Sequence, residues 1–428
     1  MRVIKNIKNK IFKKTMFRNI VILASGTMFA QAIIFATMPL ITRLFGPEAI
    51  GQLGTFTAIA EIIIPIAALT YPIAIVLPKR ETEALDIANL SVFISLIMSV
   101  ISIVLISILK IFDAFEDINL TLYLILIPLV ILGAACLQII EQWMIRNKEF
   151  SLSAKAAVYH SILMNGGKVG LGFINPIAGG LITIQSANSG SKALIMYLLS
   201  KKKIKFNLRI NSENAKNILN VAKQHNDFPK YRSPQMLLNA MSQSIPVLLL
   251  MSFVGPVAVG YYTIARTALN APIQLLGKSI GDVFYPRITE AYHKGEDMYG
   301  LIKKATLVLA VIGLVPFGII IFFGPAIFEL VFGEGWNVAG TYASWLSLWL
   351  FFLFINNPAV RSLPVLKAQK FHLNFTIISL ITRISGMLIG FLLFNNEIVA
   401  IAIFSITGAV LNIFLIIVTL NISRKSRS

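Results

Sequence analysis

Five basic residues lie deep inside long apolar segments of this sequence, at Lys168, Lys192, Arg266, Lys278 and Arg383. A charged side chain at the centre of a membrane helix costs roughly 2.5 to 3.5 kcal/mol, so each needs a partner or a wet cavity. Lysine and arginine bind phosphate oxygens through charge-assisted hydrogen bonds. The surplus of basic groups therefore predicts a cavity that prefers an anion, and a pyrophosphate fits this chemistry.

Neutral polar residues share helix faces with these cations, because residues three or four positions apart lie on one side of a helix. The stripes found in this way are Ser161, Asn165 and Lys168; Gln185, Ser189 and Lys192; Arg266, Asn270, Gln274, Lys278 and Asp282; and Ser379, Arg383 and Gly386. Amides and hydroxyls on these faces suit the hydroxyl groups of a sugar. Any single member could instead form a buried contact between two helices. Several cationic stripes together favour a binding cavity.

Clearly acidic positions inside the same segments are few, namely Glu61 and Asp282. Glu61 could carry a coupling proton or pair with a basic residue. Asp282 lies four positions after Lys278, so these two side chains could neutralise each other. The candidate substrate-binding residues are Lys168, Lys192, Arg266, Asn270, Gln274, Lys278 and Arg383, and the coupling candidates are Glu61 and Asp282.

The elements that carry these residues are predicted to be transmembrane helices. Of 428 residues, 56% are hydrophobic and 13% are charged, about half the charged fraction of a soluble domain. Repeated apolar runs of about 20 residues indicate that a bilayer surrounds the chain. The predicted fold is therefore an all-α polytopic membrane protein.

Twelve apolar spans can be marked along the chain. They are Ile20–Thr42, Thr55–Leu77, Ala88–Leu109, Leu120–Met144, Leu152–Ile174, Ile177–Ser200, Gln235–Val254, Ala258–Phe284, Leu301–Phe323, Tyr342–Asn356, His372–Phe394 and Ile398–Asn421. Prolines inside the second, seventh and eighth spans predict kinks, at Pro65, Pro72, Pro246 and Pro272.

The net charge of +19 is distributed unevenly between the loops. Loops after even-numbered spans and both termini carry most of the lysine and arginine, including Lys5, Lys79, Arg80, Arg146, Lys148, Lys201, Arg287, Lys294, Arg361, Lys370 and Arg424. Loops after odd-numbered spans carry few basic residues. The positive-inside rule therefore predicts a multi-pass membrane protein with both termini in the cytoplasm. This placement gives the basic residues a membrane role, and no nucleic-acid partner is expected.

A short motif occurs twice at equivalent places in this topology. Gly46 to Gly51 reads Gly-Pro-Glu-Ala-Ile-Gly after the first span, and Gly255 to Gly260 reads Gly-Pro-Val-Ala-Val-Gly after the seventh. The motif could be a common helix-start signal. It could also mark an internal repeat, with an N-terminal lobe at 1–200, a cytoplasmic linker at 201–234, a C-terminal lobe at 235–428, and substrate between the lobes.

Other chemistries lack support in the sequence. Its glycines follow no phosphate-loop spacing, so direct ATP use is not expected. Its histidines are too dispersed for a metal site, at His160, His225, His293 and His372. We therefore expect no cofactor and no metal. The outer loops are short and the first lacks an acidic pair, so we expect no enzymatic activity.

Five sequence motifs resemble those of a known family. They are Arg43 to Gly51, Glu141 to Arg146, Gly255 to Tyr262, Tyr285 to Thr289, and Phe332 to Trp336. With these motifs the chain is similar, over nearly its whole length, to the O-antigen and capsular polysaccharide flippases (Wzx-type) of the polysaccharide transporter family. This family belongs to the superfamily that also contains the multidrug exporters and the lipid II flippase.

The resemblance implies two six-helix lobes around a central cavity that opens alternately to the cytoplasm and the periplasm. The implied substrate is undecaprenyl pyrophosphate bearing one oligosaccharide repeat unit, used in lipopolysaccharide or capsule biosynthesis. Membrane lipids and other polysaccharide assembly proteins are the remaining candidate partners. Two alternatives stay open: a multidrug or small-molecule exporter of the same superfamily, and a membrane glycosyltransferase or polymerase.

Overall fold

The computed structural model describes the backbone of residues 2–111, 121–200 and 215–425, and side chains at 22–108, 123–200, 217–270, 273, 284–285 and 287–424. Every regular element in these ranges is helical. The chain divides into two compact units. Unit 1 comprises residues 1–45 and 52–244, and unit 2 comprises residues 46–51 and 245–428. The division into 1–200, 201–234 and 235–428 remains a prediction.

Unit 1 contains most of the first nine helices. These are α1 (Arg2–Ile63), α2 (Glu81–Ile111), α3 (Thr121–Leu124), α4 (Ile127–Arg146), α5 (Phe150–Ile174), α6 (Ala178–Ser186), α7 (Asn188–Ser200), α8 (Ala215–Gln224) and the first half of α9 (Ser233–Phe253). Two short 3₁₀ segments, at Ile64–Ile66 and Tyr71–Val76, follow α1. The helix α4 packs against α2 and α7.

Unit 2 contains the remaining helices. These are α10 (Pro256–Lys294), α11 (Met298–Phe332), α12 (Asn337–Ile355), α13 (Asn357–Ser362), α14 (Gln369–Phe394) and α15 (Glu397–Lys425). The helix α12 contacts α10, α11 and α15. One side of α12 packs closely on α11. There Gly340 lies so near the backbone of Gly324 that a Cβ atom on Gly340 would not fit. Small residues let membrane helices approach each other this closely.

Eight helices of the described residues are long and apolar enough to cross a membrane. They correspond to nine of the twelve predicted spans, because α1 contains the first span and, after a break at Gly46, the beginning of the second. The fifth span is α5, whose apolar sequence is interrupted by polar residues, and the sixth is split into α6 and α7. The eighth is α10, which is only partly described at side-chain level. The outer helix surfaces are apolar, as shown by Phe322 and Leu330, each 79% exposed.

The second predicted span is helical only over its first half. After Ile63 the backbone continues as 3₁₀ turns, with Leu69 and Thr70 at left-handed φ angles of 46° and 59°. Pro65 and Pro72 lie in this region, and proline removes a backbone donor that an α-helix would use. The predicted kink in this span is confirmed as a complete change of helix type. Pro246, in contrast, lies inside the continuous helix α9.

Arg146, at the end of α4, binds the carbonyl groups that this irregular segment leaves without helical partners. Its Nη1 atom donates to the carbonyl oxygens of Ile75 (2.9 Å) and Pro78 (2.6 Å). Its Nη2 atom donates more weakly to those of Lys79 (3.4 Å) and Arg80 (3.3 Å). Carbonyls at a helix end need such donors. Arg146 therefore fixes the end of the second span onto α4.

The segment before α9 contacts the same irregular region from another direction. Thr70 Oγ1 donates to the carbonyl oxygen of Phe228 (3.1 Å), and Tyr71 Oη donates to that of Ala222 (3.1 Å). Val221 of α8 is buried beside Tyr71 in the same apolar cluster. The helix α8 thus packs on α2 and contacts the second span at Tyr71, and these contacts secure the left-handed turn.

Both copies of the glycine-proline motif begin with a glycine of positive φ, and the two copies meet each other within unit 2. Gly46 (φ 69°, ψ 173°) and Gly255 (φ 110°, ψ −176°) both have positive φ, which glycine adopts without strain. A Cβ atom on Gly51 would overlap the carbonyl oxygen of Pro256, and one on Gly260 would overlap that of Pro47. This reciprocal contact favours the internal repeat over a simple helix-start signal.

We expect Gly51→Ala and Gly260→Ala each to destabilise the protein by about 1–3 kcal/mol, because the added methyl group must displace backbone. The measurement is the apparent Tm of the full chain in detergent. Gly318→Ala is the matched control, since a Cβ atom there meets nothing within 4 Å. Equal Tm values for Gly260→Ala and Gly318→Ala would show that the contact is not tight.

Candidate functional site

Unit 1 holds Lys168 between α5 and α6. Its Nζ atom donates to Gln185 Oε1 at 3.0 Å. Both side chains are half-buried, and both were predicted on cationic stripes of adjacent spans. The structure therefore brings these two stripes together. Because the Gln185 amide is neutral, it does not offset a positive charge on Lys168 as a carboxylate would, so this pair can bind an anion.

The other members of the α5 stripe have structural partners. Ser161 Oγ donates to the carbonyl oxygen of Ala30 in α1 (2.8 Å), and Asn165 Nδ2 donates to the carbonyl oxygen of Ser161 (2.8 Å). Both side chains are buried. Ser161 joins α5 to α1, as the alternative reading of a polar contact between helices expected, and Asn165 bonds within α5. The sugar-binding reading is not supported at these two positions.

Lys192 of α7 forms an ion pair that the sequence analysis missed. Its Nζ atom lies 2.6 Å from Glu141 Oε1 of α4, with side chains 28% and 38% exposed respectively. Glu141 lies within the fourth predicted span and begins one of the family-like motifs, which is the signal that could have found it. Because the carboxylate offsets the ammonium, this pair adds no net positive charge to the interior of unit 1.

Unit 2 holds Arg383 in a corner formed by two aromatic rings. Only 8% of this residue is exposed. Its guanidinium carbon lies 3.8 Å from the ring centroid of Trp349 (α12) and 4.0 Å from that of Phe404 (α15). The two rings are inclined at 76° to each other. Such cation–π contacts stabilise a desolvated guanidinium by about 2 kcal/mol or more.

A second arginine lies near this corner. Arg266 and Tyr262, one turn apart on α10, both interact electrostatically with Arg383. Tyr262 is buried and Arg266 is half-buried. The structure therefore brings two predicted cations, from the eighth and eleventh spans, into the same part of unit 2.

The remaining candidates are less informative. Asn270 is half-buried on α10, one turn after Arg266, and Glu61 is exposed near the end of α1. The side chains of Gln274, Lys278 and Asp282 lie outside the described residues, so their predicted roles remain predictions. Among described residues no group of three histidine, cysteine, aspartate or glutamate side chains could hold a metal ion.

The exposed end of α10 carries paired charges. Lys294 Nζ donates to Glu290 Oε1 at 2.6 Å, and Arg287 is bonded to Glu296. The hydrogen bond from Lys294 lowers the pKa of the Glu290 carboxyl group, and the bond to Glu296 raises the pKa of Arg287. Exposed pairs of this kind add little stability. They belong to the loop that the positive-inside rule predicts to be cytoplasmic.

The fold of this chain is similar to that of several solved transporter and flippase structures. The chain is similar to an inward-facing multidrug resistance MATE family transporter of the MOP superfamily (17% identity, 95% of this chain and 99% of that one, TM-score 0.66). It is also similar to the lipid II flippase MurJ in an inward closed conformation (16%, 95% and 90%, TM-score 0.71). A third is a MOP superfamily transporter from Pyrococcus furiosus (17%, 96% and 95%, TM-score 0.59), described as having a binding pocket of reverse polarity.

These likenesses define the class: the protein is an all-α, multi-pass membrane protein with the MOP-superfamily fold. No curated protein matches the chain in sequence. The family model for polysaccharide biosynthesis proteins matches residues 40–341. The chain therefore belongs to the polysaccharide biosynthesis protein family, which confirms the resemblance drawn from its motifs.

Proposed function

We propose that the protein is a flippase that moves undecaprenyl-pyrophosphate-linked oligosaccharide repeat units, of O-antigen or capsular type, from the cytoplasmic to the periplasmic leaflet by alternating access. It acts in the bacterial inner membrane with both termini in the cytoplasm, and it catalyses no covalent chemistry. Family membership supports a role in polysaccharide biosynthesis, and the fold is that of transporters.

The observation that carries this proposal is the surplus of positive charge inside the helices. Glu141 offsets Lys192, so the surplus comes from Lys168, Arg266 and Arg383. A cation held in an apolar helix is expensive, so its presence there points to a functional role. Phosphate groups are the anionic part of the proposed substrate, and arginine and lysine recognise them through charge-assisted hydrogen bonds. A site for lipophilic cations would need the opposite charge.

The test is complementation in a bacterium that lacks its own O-antigen flippase, with surface polysaccharide as the readout. We expect the parent chain to restore polysaccharide, and Lys168→Ala, Arg266→Ala and Arg383→Ala to lose most of it while reaching the membrane in normal amounts. Lys304→Ala, at an exposed position on α11, is the control for loss of one positive charge and should behave as the parent.

Two other outcomes would contradict the proposal. If the parent fails with a panel of lipid-linked glycans but changes resistance to drugs, the protein is an exporter, as its likeness to the MATE fold allows. If the parent restores polysaccharide and all three cation variants do so equally, transport does not depend on the interior positive charge. Membrane insertion of each variant is checked by immunoblot of the membrane fraction.

A further inference from the structure

An open groove of about 450 Å³ lies along the surface of α11 in unit 2. Its described lining changes from polar at the start of the helix to apolar further along, and consists of Gly300, Lys303, Lys304, Leu307, Val308, Val311 and Ile312. The four apolar side chains are between 46% and 72% exposed. Exposed apolar patches of this kind mark contact with a membrane. The groove therefore faces the lipid.

The two lysines of the groove stand at the end of an uncharged segment. After Lys304 no charged residue occurs in the sequence until Glu329. A segment of this length can cross the hydrocarbon core of a bilayer. Because lysine extends its ammonium group toward water while its stem covers apolar surface, both lysines place their charge at the level of the lipid headgroups. The groove thus has a cationic end at the headgroups and an apolar part below it.

The charge of these lysines is not balanced by ion pairs. Neither Lys303 nor Lys304 pairs with a carboxylate of the residues that the structure describes. The Nζ atom of Lys303 lies 6.0 Å from the ring centroid of Tyr299, one turn earlier on the helix. The Asp297 carboxylate lies beside Gly300, where an added Cβ atom would be 2.6 Å from its Oδ2 atom. This single carboxylate offsets at most one of the two lysine charges.

The apolar part of the groove ends within one leaflet. An α-helix rises 1.5 Å per residue, so Ile312 lies about 12 Å deeper than Lys304. The hydrocarbon of one leaflet is about 15 Å thick, half of the core of a bilayer. A lining of this length suits an acyl chain that stays in its own leaflet while its phosphate group lies at the lysines.

We propose that this groove binds an anionic diacyl phospholipid, with its headgroup phosphate on Lys303 and Lys304 and one acyl chain along Leu307 to Ile312. A zwitterionic phospholipid has the same phosphate but also an ammonium group, which the lysines repel. Each lysine at an anionic lipid surface favours binding about fivefold, so the pair should give a preference of about 25-fold. The inference does not rest on the proposed flippase function, because the site takes a lipid of the surrounding membrane.

A tryptophan placed in the groove reports which lipid occupies it. The variant Leu307→Trp is reconstituted in nanodiscs with brominated phosphatidylglycerol or brominated phosphatidylcholine, which quench tryptophan on contact. Quenching of the four natural tryptophans is subtracted by using the parent chain. We expect phosphatidylglycerol to be preferred about 25-fold. Adding Lys303→Gln or Lys304→Gln alone should reduce the preference about fivefold, and adding both should remove it.

Two controls test the position of the site. Phe322→Trp carries the probe at a lipid-facing position further along α11, which is 79% exposed, and should show no preference between the lipids. Lys370→Gln removes one exposed lysine of α14 and should leave the preference at Leu307→Trp unchanged. Val311→Trp, at a second position of the groove, replaces Leu307→Trp if that variant does not fold, as judged by gel filtration.

Several outcomes would overturn the proposal. Equal quenching by the two lipids at the groove probe, or a preference that survives the loss of both lysines, would show that no such site exists. Relief of quenching by inorganic phosphate would assign the lysines to a free anion. Displacement of brominated phosphatidylglycerol by an equal mole fraction of polyprenyl pyrophosphate would assign the groove to a lipid-linked substrate. Persistent quenching in the presence of both competitors supports the phospholipid.

Discussion

Replacing Arg146 with alanine is expected to destabilise the protein by about 3 kcal/mol, because several carbonyl groups lose the donors of one guanidinium. The carbonyls of Ile75 and Pro78 terminate a 3₁₀ segment and have no helical donor of their own. Hydrogen bonds to charged groups contribute roughly 1.5 to 3 kcal/mol each, and the two longer contacts to Lys79 and Arg80 add less. The loss of stability in Arg146→Ala should therefore exceed that caused by an ordinary substitution at the surface.

The measurement is the apparent Tm and the folded yield of the full chain in detergent. Arg146→Lys should be intermediate, because one ammonium keeps the charge but cannot reach all four carbonyls at once. Lys155→Ala, at an exposed position of α5, is the matched control and should stay close to the parent. If Arg146→Ala and Lys155→Ala have the same apparent Tm, the second span is held by its apolar contacts alone.

Hydropathy and loop charge predict the helices because a bilayer requires long apolar segments with satisfied backbones. That requirement acts locally, so the predicted spans other than the second coincide with α-helix over most of their described length. It does not specify where a span changes helix type. The left-handed Thr70 and the following Tyr71 bond to carbonyl groups more than 150 positions away, at Phe228 and Ala222, which no local pattern contains.

The residue types of the candidate site could be predicted from the sequence, but the contacts between their side chains could not. Helical spacing placed Lys168 and Gln185 each on a polar stripe of its own span, but it did not predict that the two side chains meet. It could not predict that Glu141 pairs with Lys192, since helix rotation decides which of many polar residues meet. The same applies to Trp349 and Phe404, which look like ordinary apolar residues in the sequence but determine the orientation of Arg383.

The ion pair between Lys192 and Glu141 leads to the second large effect. We expect Lys192→Ala to destabilise the protein by about 1–3 kcal/mol, since it leaves a partly buried carboxylate without a partner. Glu141→Gln should cost less, because the amide oxygen can still accept a hydrogen bond from Lys192. The combination of Lys192→Ala with Glu141→Gln should recover most of the loss, because neither side chain is then charged.

A double-mutant cycle in apparent stability measures this coupling, and surface polysaccharide in the complementation strain measures its consequence. We expect a coupling of about 1 kcal/mol, limited by the partial exposure of both side chains. We expect the variant that combines Lys192→Ala with Glu141→Gln to restore polysaccharide. This result would mean that Lys192 affects transport only by packing α7 against α4. Normal stability with persistent loss of polysaccharide in the neutral pair would instead show that the Lys192 ammonium itself contacts the substrate.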